Sequence, residues 1–168
     1  MTVAVVMGVS GSGKTTVARG LAEREGWRLV EGDDFHPPAN VAKMASGTPL
    51  TDEDRWPWLR AIAHEIDAIR ASGESAVVTS SALKRAYRDI LVDHRPDAVL
   101  VYLKGSKDMI GERLAARRGH FMPMALLDSQ FAALEEPSED EHPIVVSVAP
   151  PPAVIVDEVM KKLKERGA

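Results

Sequence analysis

Short apolar runs alternate along the chain with segments in which apolar residues recur every three or four positions. The run at residues 3–7, Val-Ala-Val-Val-Met, is apolar throughout, which is typical of a strand covered on both faces in a parallel sheet. The strands predicted in this way span residues 3–7, 28–31, 76–79, 98–103 and 144–148. The predicted helices span residues 15–24, 53–71, 84–93, 107–118, 124–134 and 153–166. Strands that alternate with helices predict one α/β domain over residues 1–168 with a five-stranded parallel sheet.

Two segments, residues 33–51 and 135–142, follow neither pattern and are predicted to be irregular. The first is too long for a tight connection, and insertions of that length are often functional. The second is acidic and polar, which indicates a solvated surface loop. Thr51 or Asp52 is expected to cap the helix after the first segment, because acidic side chains favour the positive end of a helix. The run at residues 149–152, Ala-Pro-Pro-Pro, indicates a stiff connector to the last helix.

Composition narrows the class of protein. The chain is 45% apolar and 27% charged, the proportions of a soluble globular protein, and its net charge of −4 argues against a nucleic-acid partner. It has no cysteine, which excludes disulfides, thiolate zinc sites and cysteine nucleophiles. No apolar stretch approaches the roughly 20 residues of a membrane span, and residues 1–9 resemble a buried strand more than a signal peptide. We therefore expect a cytoplasmic protein without a membrane partner.

Residues 8–15 read Gly-Val-Ser-Gly-Ser-Gly-Lys-Thr and match the phosphate-binding pattern G-x-x-x-x-G-K-[ST] in full. The glycines let backbone N–H groups point at phosphate oxygens, and the start of the following helix adds positive field. Lys14 is expected to contact the outer phosphates of ATP and Thr15 to bind Mg²⁺. A chance match is disfavoured by the strand before the loop and the helix after it. The predicted nucleotide contacts are Gly8, Ser10, Gly11, Ser12, Gly13, Lys14, Thr15 and Thr16.

The loop alone leaves a GTPase, a motor ATPase and a small-molecule kinase open. The first two usually carry an Asp at the end of a neighbouring strand, to hold the metal. Here the strand at residues 76–79 runs into Ser-Ser-Ala, which favours a kinase. Asp33, at the end of the second strand, is expected to supply the second metal contact and to accept or orient the proton of an attacking hydroxyl. The alternative for Asp33 or Asp34 is a turn or helix cap.

The segment after the second strand resembles the signature of the gluconokinase family. That signature runs through residues 32–59 and begins Gly-Asp-Asp-Phe-His-Pro-Pro-Ala-Asn. Further blocks agree at residues 81–91, 101–105, 117–121, 127–131 and 134–137, so the resemblance covers nearly the whole chain. One departure is Glu31, where the family usually has Asp; the longer acid leaves the geometry of any metal site there open.

The resemblance implies a P-loop fold of the nucleoside-kinase and shikimate-kinase type, with three α/β/α layers and a mobile lid near residues 113–123. It implies that the acceptor binds near residues 33–60 and that the γ-phosphoryl group of ATP passes to the 6-hydroxyl of D-gluconate. It also implies a requirement for Mg²⁺ and, in many members, a homodimer. A kinase of the same fold for shikimate or a nucleotide stays open, as does a nucleotide-binding module without activity.

Gluconate carries a carboxylate, and Arg is suited to bind one through two parallel hydrogen bonds. Arg55 and Arg85, both in family blocks, are the candidates, with a surface ion pair as the alternative for either. Further contacts to the acceptor are predicted from Asp33, His36, Asn40, Lys43, Ser81, His120 and Gln130. A structural role stays open for His36, and core packing is the favoured interpretation of Trp56 and Trp58.

Arg113, Arg117 and Arg118 form a basic patch, in which Arg113 and Arg117 share a helix face. In a lid over ATP, one arginine would stack on adenine and another would neutralise the phosphate in transfer. The predicted catalytic residues are therefore Lys14, Asp33 and Arg117. The alternative is a solvated helix face, whereas RNA binding is disfavoured because no aromatic residues interleave with the arginines.

Overall fold

The computed structural model of the chain describes residues 1–116 and 124–167, apart from the side chains of residues 124–126. One sheet of five parallel strands has the order β2-β3-β1-β4-β5. The strands are β1 (Val3–Met7), β2 (Arg28–Glu31), β3 (Ala76–Thr79), β4 (Ala98–Lys104) and β5 (Ile144–Ser147). Each bound lies within one residue of its sequence-based prediction, so the predicted parallel sheet is confirmed.

The described residues form seven α-helices, six of which match predicted ones. The helices are α1 (Lys14–Glu25), α2 (Pro38–Ala45), α3 (Asp52–Ser72), α4 (Arg85–Val92), α5 (Lys107–Ala116), α6 (Met124–Ala133) and α7 (Pro152–Glu165). The unpredicted helix is α2, which lies in a segment predicted to be irregular. The only residue of this eight-residue helix that is buried is Asn40, which is polar. The helix therefore has no buried apolar face, and the sequence lacks the apolar repeat by which a helix is predicted. No helix in the described part of the chain is long and apolar enough to cross a membrane.

Side chains of β1 alternate between two apolar cores. Ala4 and Val6 pack in the core that includes the buried residues of α1 and α7. Val3 and Val5 pack in the core on the other face, which includes the buried residues of α3 and Tyr87 of α4. The sheet is therefore covered by helices on both faces, and the predicted three-layer α/β/α arrangement is confirmed.

The start of α3 is fixed by a capping box. Thr51 Oγ1 accepts from the backbone N–H of Asp54 at 3.2 Å, and Asp54 Oδ2 accepts from the Thr51 N–H at 2.9 Å. The hydrogen bond from Lys43 and those from Thr51 lower the pKa of Asp54 to about 2. Of the two caps predicted for α3, Thr51 is confirmed.

The acidic segment at residues 135–142 contains a short 3₁₀ helix, Glu139–Glu141. The prediction of a solvated loop is wrong for Glu141, whose side chain is 5% exposed and paired with Arg88. The charge pattern could not indicate this, because the partner lies on α4, more than fifty residues earlier in the chain.

Candidate active site

The phosphate loop connects β1 to α1 at the carboxyl end of the sheet. Gly13 caps α1 with φ of 94°, in the left-handed region that favours glycine. The Nζ of Lys14 donates to the carbonyl oxygens of Gly8 and Val9 at 2.9 and 3.1 Å. Ser12 is buried, and its hydroxyl has no partner among the described residues. Lys14 and Ser12 are thus held inside the loop, where phosphate oxygens would meet them.

Burial lowers the pKa of Lys14 to about 8, although the nearby carboxylates of Asp33 and Glu31 raise it in part. The ammonium is therefore mostly charged at neutral pH and close to its titration range. An anionic ligand beside it would favour the charged form and raise this pKa again.

Glu31 links the phosphate loop to β3. Its Oε2 accepts from Thr15 Oγ1 at 3.2 Å and from Thr79 Oγ1 at 2.7 Å. Its other oxygen, Oε1, is buried and finds no partner within the described parts of the chain. Thr79, at the end of the strand where motor ATPases and GTPases usually carry their Asp, thus orients the carboxylate of Glu31 on the neighbouring strand β2.

A hydroxyl and a carboxylate with a free oxygen fit Mg²⁺, which takes few protein ligands and completes its shell with phosphates and water. No group of three or more acidic or histidine side chains that could hold a metal occurs among the described residues. A metal bound at Thr15 and Glu31 would therefore depend on the nucleotide for further ligands.

Asp33 lies in a 3₁₀ turn, Gly32–Phe35, just after β2. This turn requires Gly32, because a Cβ there would lie 2.0 Å from the carbonyl oxygen of Thr79. The Asp33 side chain is 85% exposed, and its carboxylate lies 4.0 Å from His36 Nε2. The acid in contact with Thr15 is Glu31, and its departure from the Asp usual in the family was the available sequence signal. The predicted metal contact of Asp33 stays a prediction.

Three predicted acceptor contacts, on or just before α2, have protein partners in this structure, and their contacts to the acceptor stay predictions. His36 stacks on Trp58 with ring centroids 4.2 Å apart, and burial lowers its pKa. Asn40 Nδ2 donates to the Asp54 carbonyl at 2.9 Å and lies 3.2 Å from His36 Nδ1. Lys43 pairs with Asp54 at 2.6 Å. These contacts join α2 to α3, so the structural alternative for His36 is supported.

A cavity of about 340 Å³ lies between the start of α3, the segment before α4, and α6. Two cations border it: Arg55, whose Nη1 donates to the Leu50 carbonyl at 2.7 Å, and Lys84, whose Nζ lies 3.1 Å from Asp52 Oδ1. Hydrogen bonds from Tyr87 and Lys84 hold the pKa of Asp52 below its usual value. The described residues that line it are Pro49, Leu50, Thr51, Asp52, Arg55, Leu83, Lys84, Ser129, Gln130 and Ala133.

Among the described residues that line this cavity, two cations face one carboxylate, and the resulting positive charge suits an anionic ligand. Sequence reasoning found Arg55 and missed Lys84, although Lys84 lies in a family block. The Arg55 guanidinium and the Lys84 ammonium also lie 5.6 and 5.7 Å from the centroid of the Tyr87 ring, within the range of a cation–π contact. We call this lined space the acceptor cavity.

Comparison with known proteins identifies the family. A family model described as an AAA domain matches residues 3–137. A gluconokinase of Gluconobacter oxydans (strain 621H) is 51% identical over 159 residues, which are 94% of this chain and 88% of that protein. The chain belongs to the gluconokinase family. A crystal structure of a gluconokinase from Sinorhizobium meliloti 1021 has a TM-score of 0.90 at 47% identity, covering 98% of this chain and 92% of the other.

The fold of this gluconokinase-family chain extends to more distant kinases. A shikimate kinase from Aquifex aeolicus superposes with a TM-score of 0.59 at 12% identity, covering 99% of this chain and 98% of that one. Likeness at that identity shows the fold alone. The predicted P-loop fold of the shikimate-kinase type is confirmed.

Arg85 does not line the acceptor cavity of this gluconokinase-family protein. Its guanidinium pairs with Asp140 at 2.5 Å and also donates to Ser138 at 3.1 Å. It lines a separate cavity of about 640 Å³ with Arg95 and Arg166. Ser81 is half-buried beyond the end of β3. The two candidate arginines therefore do not converge, and Arg85 makes the ion pair named as its alternative.

A third cavity, of about 440 Å³, lies beside the phosphate loop. Arg113 lines it and donates from Nη2 to the Ala149 carbonyl at 3.2 Å, which holds the proline connector against α5. The other lining residues are Gly11, Ser12, Gly13, Thr16, Val17, Ala116, Ala149, Pro150, Pro151, Pro152 and Ile155. The connector, predicted only as a spacer, therefore helps to form this cavity. The predicted lid arginines, Arg117 and Arg118, and the predicted acceptor contact, His120, lie outside the described residues.

Proposed function

We infer that this protein transfers the γ-phosphoryl group of ATP to the 6-hydroxyl of D-gluconate, giving 6-phospho-D-gluconate and ADP. The observation that carries this inference is the position of a cationic acceptor cavity next to a complete phosphate loop. Gln130 borders that cavity and is hydrogen-bonded to Ser10 of the loop. Membership of the gluconokinase family supports gluconate as the acceptor.

In the proposed complex, ATP lies with its phosphates on the loop at residues 8–15. Lys14 gives up its bonds to the Gly8 and Val9 carbonyls and donates to the outer phosphates instead. The adenine occupies the cavity between Arg113 and the proline connector, where apolar proline faces can cover an aromatic base. Arg117 and Arg118 stay predictions for this nucleotide site.

Thr15 and Glu31 are the side chains that would hold Mg²⁺ here, Glu31 through its free Oε1. Bound Mg²⁺ would offset the negative charge that builds on the outer phosphates during transfer. Asp33, predicted as a metal contact, stays a proposal in that role, with the acceptor hydroxyl as its principal partner. Lys14 supplies fixed positive charge on the loop side.

Arg55 and Lys84 are proposed to bind the carboxylate of gluconate in the acceptor cavity. A fixed carboxylate aligns the six-carbon chain, so that the primary hydroxyl at its other end can reach the phosphate loop. Positioning of this kind, together with electrostatic stabilisation, supplies most of the rate enhancement of a kinase, because little covalent chemistry is left to its side chains. Asp52, beside Lys84, is suited to accept hydrogen bonds from the hydroxyls.

Asp33 is proposed to orient the 6-hydroxyl and to take its proton. The hydroxyl oxygen forms a bond to the γ-phosphorus in line as the bond to the β,γ-bridging oxygen breaks, and ADP leaves with that electron pair. The exposed Asp33 carboxylate, near Lys14, is free of the contacts that occupy Glu31. A homodimer and a cytoplasmic location also remain proposals, supported by the resemblance.

ADP release measured with a panel of acceptors tests this function. The panel contains gluconate, shikimate, a nucleoside monophosphate and water alone. We expect release that depends on gluconate and a loss of roughly 10²-fold or more in kcat for Asp33→Asn. Asp34→Asn, at the adjacent exposed acid, is the control and should retain activity. Release with another acceptor and none with gluconate would refute the proposal; full turnover by Asp33→Asn would refute only the role of Asp33.

A further inference from the structure

Arg88 is a buried charge on α4 with no part in the proposed reaction. Its side chain is 1% exposed, and that of its partner Glu141 is 5% exposed. Nε and Nη2 of Arg88 donate to the two carboxylate oxygens of Glu141 at 2.6 and 3.1 Å, which makes the pair bidentate. Burial raises the pKa of Glu141, but hydrogen bonds from Arg88 and the Ser138 backbone outweigh it and lower the pKa overall, so the pair is charged.

The remaining nitrogen of Arg88 holds the chain that leads into the acceptor cavity. Nη1 donates to the carbonyl oxygens of Ala82 and Leu83, both at 3.1 Å. Ala82 is fully buried and has φ of 43°, a left-handed conformation that residues other than glycine adopt only when their surroundings enforce it. The Leu83 carbonyl also accepts from the Glu135 N–H at 2.8 Å.

The next residue along the chain is Lys84, which caps α4 and, with Leu83, lines the acceptor cavity. A buried ion pair is rarely more stabilising than an apolar pair of the same volume, so stability alone does not account for Arg88 and Glu141. The apolar pair could not hold two carbonyl oxygens. That hold is the contribution specific to Arg88.

We propose that Arg88 is a positioning residue of the acceptor site. By holding the carbonyls of Ala82 and Leu83, it sets the direction in which Lys84 presents its ammonium to the carboxylate of gluconate. Glu141 balances the charge of Arg88 and orients its guanidinium. This proposal rests on the function proposed above, in which Lys84 binds that carboxylate. Arg88 itself touches neither substrate.

The test uses a double variant, Arg88→Met with Glu141→Leu, which removes the hold on the carbonyls and leaves no unpaired buried charge. We expect KM for gluconate to rise about tenfold, while KM for ATP stays within about twofold. The matched control is Arg95→Met with Asp67→Asn, at the other end of α4. Arg95 also pairs with its carboxylate through two bonds of 2.8 Å and donates to a backbone carbonyl, Ile90, at 2.9 Å. The control should change neither KM.

A cycle with Lys84→Met separates positioning from general damage. Lys84→Met should raise KM for gluconate in the wild-type background and add little in the Arg88/Glu141 double variant, because both changes disable the same contact. An unchanged KM in the double variant, or full additivity with Lys84→Met, would overturn the proposal. If the double variant does not fold, Arg88→Lys takes its place: it should raise KM for gluconate selectively, and an unchanged value would overturn the proposal equally.

These outcomes also separate this proposal from the function on which it rests. Wild-type protein inactive on gluconate would refute the proposed function. A wild-type KM for Lys84→Met would refute the assignment of Lys84 and this proposal with it. A raised KM for Lys84→Met, with a normal KM for the double variant, would refute the role of Arg88 alone.

Discussion

The side-chain amide of Gln130 forms two hydrogen bonds with Ser10, one to its backbone N–H and one to its hydroxyl. Gln130 Oε1 accepts from the Ser10 N–H at 2.6 Å, and Gln130 Nε2 donates to the Ser10 hydroxyl at 2.7 Å. The two residues are 120 positions apart, and Gln130 also borders the acceptor cavity. One side chain thus connects the phosphate loop to the space proposed for gluconate.

Replacing Gln130 with Leu should therefore impair the use of both substrates. We expect kcat/KM to fall about 10²-fold for ATP and for gluconate, since a displacement of about 1 Å between reacting groups costs that much. Ser10→Ala is the milder comparison, because it removes the hydroxyl and keeps the backbone N–H that Gln130 also binds. Steady-state kinetics with each substrate varied in turn checks this. A loss confined to one substrate would show that Gln130 serves one site only.

The lowered pKa of Lys14 predicts that ATP binding depends on pH. Burial lowers its pKa to about 8 in the free protein, so the ammonium is charged below that pH and neutral above it. Affinity for ATP should therefore fall as the pH rises through about 8, by up to about tenfold per unit, until the pKa of the complex is reached. Titration calorimetry with a non-hydrolysable ATP analogue between pH 7 and about 9.5 checks the slope.

Lys14→Met serves as the control for this slope. It should bind the analogue weakly and with the same affinity across that range, because the titrating group is gone. A wild-type affinity that stays constant up to the upper pH would show that Lys14 keeps its proton in the free protein.

Much of the fold could be predicted because its signals are local. The apolar run that forms β1 and the glycine loop before α1 each lie within one short stretch of sequence. The helix α2 could not be predicted, since its one buried residue, Asn40, is polar and is held by Asp54 of a different helix. Helices of this kind are stabilised by contacts to other elements, which the local sequence does not show.

In the candidate site, too, residues with a local sequence signal could be predicted, and residues defined by contacts to other elements could not. The loop residues were evident from their motif, and Arg55 from its family block. Arg85, the second candidate for the carboxylate, pairs with Asp140 instead of lining the acceptor cavity, and no sequence pattern could indicate that contact, because Asp140 lies more than fifty residues later in the chain. Lys84 and Glu31 were missed for a related reason: each is defined by a partner on another element, Asp52 on α3 and Thr79 on β3.

Glu31 should govern the requirement for Mg²⁺. Glu31→Gln keeps the size and the hydrogen bonds to Thr15 and Thr79 but removes the charge, so the Mg²⁺ concentration for half-maximal ATP binding should rise about 10- to 100-fold. Glu31→Asp keeps a carboxylate at this position, as is usual in the family, and should need much less Mg²⁺ for ATP binding than Glu31→Gln does. Nucleotide binding followed by fluorescence at varied Mg²⁺ is the measurement. If Glu31→Gln needed the same Mg²⁺ concentration as the wild-type protein, Glu31 would not bind the metal, and Asp33 would be the remaining candidate.

Arg55 and Arg85 should differ sharply in their effect on gluconate. Arg55→Ala removes a cation from the acceptor cavity and should raise KM for gluconate about 10- to 100-fold, the cost of a lost charged hydrogen bond, with KM for ATP unchanged. Arg85→Ala, whose side chain pairs with Asp140 on the surface, should leave both KM values within about twofold. An unchanged KM for gluconate in Arg55→Ala would show that the carboxylate binds elsewhere, whereas an equally large rise in Arg85→Ala would show that Arg85 also contacts the acceptor.

The position of the new phosphate is the most direct test of the proposed reaction. Wild-type protein is incubated with ATP, Mg²⁺ and gluconate carrying carbon-13 at C6, and the product is examined by phosphorus and carbon NMR. The prediction is a phosphomonoester whose phosphorus couples to the labelled C6, formed in step with ADP. A product phosphorylated at another carbon, or ADP release that does not depend on gluconate, would contradict it.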